Sequence, residues 1–515
     1  MSVLGTGSAE GRPRSGSRPT VMNMALTHVY PEAQLFVDGG WHAGDGGGSA
    51  TDVVDPATGQ TIGRTPWADT CQVAAAVAAA SRSFPAWAEL PGKERGDILR
   101  RAADLLSDSL GGSGEDPSTA MTLEQGKTLA ESYAEFASIV DLFRWYADQA
   151  ERPTSRVEPG SVVGGDVTVR HLPIGPVAIL TPWNFPASLA ARKLAAAFAV
   201  GCTAVVKPAP ETPASMLVVA RALDAAGLPA GVLNVVNGDP VRISRELIQA
   251  PEIRAVSFTG STPVGREIGR LAGGALTRAT LELGGHAPVV VTADVDVAAA
   301  ARTLATTKYR NAGQVCISPT RFLVQRPILD EFVDHFVAYA EGLRVGAGLE
   351  DGVDMGPLAV ERRRRGLLDL VERTVDAGAT LRCGGEAPAG PGWFVAPTVV
   401  TEAPATSAAM NEEPFGPLAV INAYDSDEDA LREVNRLPVG LAAYVFSGSR
   451  ERAGRLVAGI EAGTVGVNTG VIVHRDSPLS GIKDSGYGSD GGLEGMHEFQ
   501  HVKAISEIPA SRADG

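Results

Sequence analysis

Two hydrophobic periodicities divide this chain. From Cys71 to about Glu151 the spacing is helical. Ile98, Leu99, Ala102, Leu105 and Leu106 share one face of a helix that Pro91 can open, and Ala120 to Ala150 reads as one further long helix. From Gly175 short apolar runs alternate with helical stretches. The runs are Pro176 to Leu180, Thr203 to Val206, Val232 to Val236, Ala255 to Phe258 and Ala279 to Leu281. The intervening helices are expected at about Ala190 to Ala199, Ala214 to Ala226, Ile243 to Gln249 and Val264 to Ala272. Strands of this length alternating with helices predict a parallel, doubly wound α/β sheet, in which ligands bind beyond the carboxyl ends of the strands. A second mixed stretch, about Pro288 to Phe446, predicts another α/β unit, and Val502 to Ile508 reads as a strand.

Composition narrows the class. The 515 residues, 44% of them apolar, are enough for two to four domains with large cores. Asp and Glu number 60 against 45 Lys and Arg, a net charge of −15, which argues against nucleic acid and anionic membrane as partners. Any anionic ligand must then be held by local Arg, Lys or helix N-termini. Cys71, Cys202, Cys316 and Cys383 are widely spaced and form no Cys-x-x-Cys pair. That spacing argues against a disulfide framework or a metal site and predicts a reducing, cytoplasmic setting. The longest apolar stretch, Leu194 to Val206, lies between Lys193 and Lys207 and is too short to span a bilayer. Residues 1–27 are rich in Gly, Ser and Arg and lack the apolar run of a secretory signal, so a disordered tail is expected there. Arg12, Arg14 and Arg18 leave a transit peptide open, and Met22 and Met24 leave a later start open.

Candidate chemistry lies in a few polar frames. Cys316 follows Asn311-Ala312-Gly313-Gln314-Val315, an approach of small and polar residues, whereas Cys202 sits in an apolar run and reads as a buried structural thiol. Glu282 stands in Leu281-Glu282-Leu283-Gly284-Gly285. A thiol nucleophile and a carboxylate able to activate water are the minimum needed to make and then hydrolyse a thioester. Asn184, in Thr181-Pro182-Trp183-Asn184-Phe185-Pro186, follows a predicted strand in a loop stiffened by two prolines. Its amide can donate to a developing oxyanion, or simply bond its own turn. Lys207 ends a predicted strand facing the ligand crevice. In Phe258-Thr259-Gly260-Ser261-Thr262-Pro263-Val264-Gly265, small residues at a helix start allow close approach of a pyrophosphate.

In this order, Pro-Trp-Asn-Phe-Pro from Pro182, Lys-Pro-Ala from Lys207, Phe-Thr-Gly-Ser-Thr from Phe258, Glu-Leu-Gly-Gly from Glu282, Gly-Gln-x-Cys from Gly313 and Glu-x-Phe-Gly-Pro from Glu413 resemble the aldehyde dehydrogenase superfamily. The resemblance covers roughly Phe36 to Val502. It implies a Rossmann-type cofactor domain (28–153 and 170–285), an α/β catalytic domain (286–469), and an oligomerisation arm with the C-terminal segment (154–169 and 470–515), forming homodimers or homotetramers. It implies Cys316 as nucleophile, Asn184 as oxyanion donor and Glu282 as the base that releases a free acid. Trp183, Lys207, Gly260, Ser261, Gly265, Leu283, Glu413 and Phe415 match positions that bind NAD or NADP. Pro210 stands where strictly NAD-using relatives often carry Glu, with Glu211 beside it, so both cofactors stay open.

Arg192 and Arg310 match the two arginines that hold the substrate carboxylate in succinate-semialdehyde dehydrogenases, which implies a carboxylated semialdehyde such as succinate semialdehyde. A surface arginine and a loop ion pair are the ordinary readings of the same two residues. That subfamily's second cysteine, two after the nucleophile, is Ser318 here, so no active-site disulfide switch is expected, and its Pro-Phe-Gly-Gly is Pro478-Leu479-Ser480-Gly481. His474 and Arg475 stand close to that departure. Oxidation of neutral aliphatic or aromatic aldehydes, and a non-redox thiol esterase or acyltransferase, stay open as alternatives.

Overall fold

The computed structural model describes residues 30–44, 49–111, 116–152, 155–161 and 165–508. The expected tail, and parts of the expected arm and C-terminal segment, lie outside them. One sheet has eight strands. Its five parallel members run Leu233–Val235, Ala204–Lys207, Val177–Leu180, Ala255–Thr259 and Arg278–Glu282 in spatial order. The order reverses between Val177–Leu180 and Ala255–Thr259, and such a reversal opens a crevice at the strands' carboxyl ends. Every residue of Val177–Leu180 and Ala204–Lys207 is buried because helices cover both faces. Ser188–Val200 and Pro213–Ala225 pack one face with Gly92–Ser109 and Leu129–Ala150 outside them, while Pro240–Gln249 and Thr262–Ala275 pack the other.

The single helix expected over 120–150 is two helices, Pro117–Gln125 and Leu129–Ala150. Gly126 takes φ 94° and ends the first, and Thr128 caps the second in a reciprocal box with Glu131. The break turns Lys127 into the interior.

A second sheet of seven strands runs Thr380–Cys383, Thr398–Thr401, Leu418–Tyr424, Arg321–Gln325, Pro288–Val291, Ala442–Phe446 and Thr464–Val467, parallel except at Thr380–Cys383. Beyond residue 470 the chain contributes to several sheets. Gly486–Tyr487 pairs with Leu281 and Glu282 as the eighth strand of the first sheet, and Leu479–Ser480 pairs with Ser489–Asp490. Only Gln500–Glu507 joins Asp166–Pro173 and Arg156–Pro159 in a separate three-stranded sheet. Val157 and Val502 are exposed on it. Among the described residues no helix is long and apolar enough to cross a membrane.

Candidate active site

The helix Val297–Tyr309 ends in a tight turn in which Asn311, Ala312 and Gly313 all have left-handed backbone, φ 49°, 51° and 70°. Two non-glycine residues in that region cost roughly 1–2 kcal/mol each, so the turn persists only if others hold it. Asn311 is the anchor. Its backbone N–H donates to Glu131 Oε1 at 2.6 Å, its Oδ1 accepts from Gln125 Nε2 at 3.0 Å, and its Nδ2 donates to the Asn184 carbonyl at 2.9 Å. Gly313 lies so close to the 413–417 loop that a Cβ there would stand 2.2 Å from the Gly416 carbonyl oxygen. Gly285 lies against the Cys316 carbonyl in the same way, at 3.0 Å. Three motifs far apart in sequence therefore meet around Cys316.

Asn184 leaves the end of strand Val177–Leu180 and is buried. Its carbonyl oxygen also accepts from Lys127 Nζ at 2.9 Å, and Nδ2 donates to the Gln314 carbonyl at 3.0 Å. One N–H of the side-chain amide is thus spent on the backbone of the Cys316 loop. Its Oδ1 is buried without a partner among the described residues. Lys127 forms a buried ion pair with Glu135 at 2.6 Å and stands 4.2 Å above the Phe185 ring centre. Glu135 Oε1 in turn accepts from the Ala187 and Ser188 N–H groups, at 3.1 and 2.9 Å, at the start of Ser188–Val200.

Glu282 ends strand Arg278–Glu282 and is buried. Burial pushes its carboxyl up to about 8, Asp490 adds to the rise, and Lys193 and Arg192 oppose it. Lys193 and Asp490 pair at 2.8 Å with both side chains buried. One Glu282 oxygen, Oε1, has no partner among the described residues. Burial, then the Glu282 and Glu413 carboxylates, raise the Cys316 thiol to about 12. Both carboxylates therefore act on the thiol electrostatically, with Glu413 itself raised to about 7 by burial.

The crevice residues fit a dinucleotide. The Trp183 and Phe415 rings meet edge to face, 5.6 Å between centres, with Phe415 at φ 41°. Gly284 leaves room only for the Glu413 carboxylate, since a Cβ would lie 2.6 Å from Oε2. At Gly265 a Cβ would meet the Leu283 side chain at 2.2 Å. Ser261 starts the helix Thr262–Ala275 without capping it, leaving N–H groups and the positive helix end available to phosphate. Gly260 stands at the head of this helix, bonded through its N–H to the Glu282 carbonyl at 3.0 Å. Lys207 is buried without a hydrogen-bond partner among the described residues, and desolvation lowers its ammonium to about 8. Thr181, Asn237 and Thr259, all at or just past strand ends, bury side-chain polar atoms without partners among the described residues. Such orphaned groups lining a cradle suit the hydroxyls and phosphates of NAD or NADP. Pro210 offers only a carbonyl, which accepts from Thr65 Oγ1 at 2.9 Å, and Glu211 pairs with Arg362 at 2.9 Å.

A cavity of about 610 Å3 opens beside Cys316 and is also lined by Phe185, Leu189, Arg192, Arg310, Val473 and Arg475. Both expected arginines therefore face it, in different ways. Arg310 is exposed, makes no hydrogen bond among the described residues, and lies 5.6 Å from the Phe185 ring centre. Arg192 donates to the His474 carbonyl at 3.0 Å and, weakly, to the Ser477 carbonyl at 3.5 Å.

Sequence reasoning missed Lys127, Glu135, Asn311 and the Lys193–Asp490 pair. The Gln125-Gly126-Lys127 interruption of a helical pattern was the available signal for the first. Asp490 lies 297 positions from Lys193 and has none.

The model of the aldehyde dehydrogenase family matches residues 41–505. A 4-(hydroxymethyl)benzenesulfonate dehydrogenase of Comamonas testosteroni is 41% identical over 94% of this chain and 99% of its own. An NADP(+) succinate-semialdehyde dehydrogenase of Escherichia coli K12 is 37% identical over 91% and 96%. The crystal structure of a succinate-semialdehyde dehydrogenase from Burkholderia pseudomallei superposes with a TM-score of 0.90 at 38% identity, over 94% and 100%.

Proposed function

Since this chain belongs to the aldehyde dehydrogenase family and is an NAD(P)-dependent oxidoreductase, we propose that it converts an aldehyde with a distal anionic group into the free acid, with Cys316 as nucleophile. Succinate semialdehyde is the small representative of that class. The relatives named above act on a carboxylated and on a sulfonated compound, and both anions suit a guanidinium. The observation that carries the reading is Arg310, whose unbonded guanidinium shares a cavity with Cys316.

The thiol at about 12 attacks only as its proton leaves, and Glu282, poised at about 8, receives it. Sulfur adds to the carbonyl carbon. The resulting oxyanion is met by the free N–H of the Asn184 side chain and by the Cys316 backbone N–H. NAD or NADP, when bound, supplies the hydride acceptor. Glu413 and Phe415 would hold its nicotinamide side, and Lys207 and the amides after Gly260 its ribose and phosphates. Once the thioester has formed, Glu282 passes the thiol's proton to solvent; ionised again, it takes a proton from water as the oxygen attacks the thioester, and the Cys316 thiolate that leaves is then reprotonated. The three-stranded sheet with its exposed Val157 and Val502 is the surface through which copies of the chain pair.

Steady-state kinetics of Arg310→Ala test the substrate class. The loss in kcat/KM is expected to be at least tenfold greater for succinate semialdehyde than for benzaldehyde, roughly the loss of one charge-assisted hydrogen bond. Equal losses on both refute the reading.

A further inference from the structure

We propose that the substrate's anion is gripped by Arg310 together with Arg475, and that Arg192 is a positioning residue that holds the loop carrying Arg475. This rests on the anionic-aldehyde reading above and deepens it. Arg192 reaches the carbonyls of His474 and Ser477, one on each side of Arg475. The loop closes on itself through the His474 N–H, which donates to Ser477 Oγ at 2.8 Å. The Arg192 guanidinium is wedged against Gly491, where a Cβ would lie 1.9 Å from Nη1. Two of its five N–H donors are thus spent on the backbone that flanks Arg475.

Arg475 is different. It lines the same cavity as Cys316, is exposed, and has neither a hydrogen bond nor an ion pair among the described residues, although Asp476 adjoins it. Arg310 is equally uncommitted apart from its ring contact. The cavity lining is mixed: Leu142, Phe185, Leu189, Val473 and Leu479 give it apolar surface, and Asp141 and Asp476 are acidic. At about 610 Å3 the cavity falls in the range that encloses drug-sized ligands. The ligand class that fits is an aldehyde whose carboxylate or sulfonate is separated from the carbonyl by a bulky apolar spacer such as an aryl ring. Because Arg475 is exposed, its part of the attraction weakens with added salt.

The test uses the full-length enzyme with 4-formylbenzoate and benzaldehyde as probes. The quantity read is the ratio of kcat/KM for the charged over the neutral aldehyde. Arg475→Gln and Arg310→Gln are each expected to lower this ratio about tenfold, through KM and not kcat, and Arg475→Lys to retain most of it. If Arg475→Gln leaves the ratio intact while Arg310→Gln or Arg192→Gln lowers it, Arg475 is not in the grip and the anionic-substrate reading survives alone. If the wild-type ratio is near one, that reading falls and takes the grip with it.

Discussion

Replacing Lys127 by Met removes the cation at the centre of the network that fixes the oxyanion loop. In the native protein Lys127 Nζ lies 2.6 Å from Glu135 Oε2 and 2.9 Å from the Asn184 carbonyl, with both charged side chains only 1% exposed. Removing one partner of such a pair leaves an uncompensated buried charge, and the expected cost is about 3–5 kcal/mol of stability. The Asn184 carbonyl keeps Asn311 Nδ2, and its side chain keeps the Gln314 carbonyl, so the loop loosens without being released. A shift of the order of 1 Å at a reacting centre costs roughly 100-fold in rate. Stopped-flow measurement of the first turnover at 340 nm is therefore expected to slow by up to that factor, while the cofactor KM changes little. The double variant Lys127→Met/Glu135→Gln separates the two effects. Gln retains an acceptor for the Ala187 and Ser188 N–H groups and removes the stranded charge, so most of the stability returns on thermal and urea unfolding while the first turnover stays slow. Recovery of both, or a single-variant cost below about 1 kcal/mol, would refute the positioning role.

Two further outcomes follow from the site. Glu282 is raised to about 8, and a base works only when ionised, so thioester hydrolysis is expected to be lost as pH falls below 8 and to level off above it. Single-turnover deacylation that is flat from pH 6 to 9 would contradict this. Gly313→Ala places a methyl 2.2 Å from the Gly416 carbonyl oxygen at φ 70°, a clash with backbone that no rotamer relieves. The expected result is an unchanged circular dichroism spectrum with kcat down by about 100-fold, and near-native kcat would mean the Cys316 turn tolerates displacement.

Much of this was legible in the sequence because it is local. The five parallel strands announce themselves as apolar runs, and the turn before Cys316 as small and polar residues. What escaped is long-range or compensated. Pro117–Gln125 is buried nearly all round, so no apolar stripe set the direction of Lys127, and Gly126 was the one local sign of a break. No spacing rule joins Gly486 to the strand ending at Glu282, or Asp490 to Lys193, since both contacts link residues about 200 to 300 positions apart. Arg192, expected from the family resemblance to meet an anion, lines the cavity and also donates to the His474 and Ser477 carbonyls, a loop contact that no spacing in the sequence announces. The left-handed Ala312 leaves no compositional mark, because its neighbours impose a conformation that Asn311 and Gly313 adopt readily and alanine does not.

The central claim is that Cys316 carries the acyl group and Glu282 releases it. Intact-protein mass spectrometry of Glu282→Gln after mixing with aldehyde and NAD or NADP tests this most directly. One stoichiometric burst of reduced cofactor is expected, with an added acyl mass that maps to Cys316. Sustained turnover with no adduct, or an adduct on another residue, would contradict it.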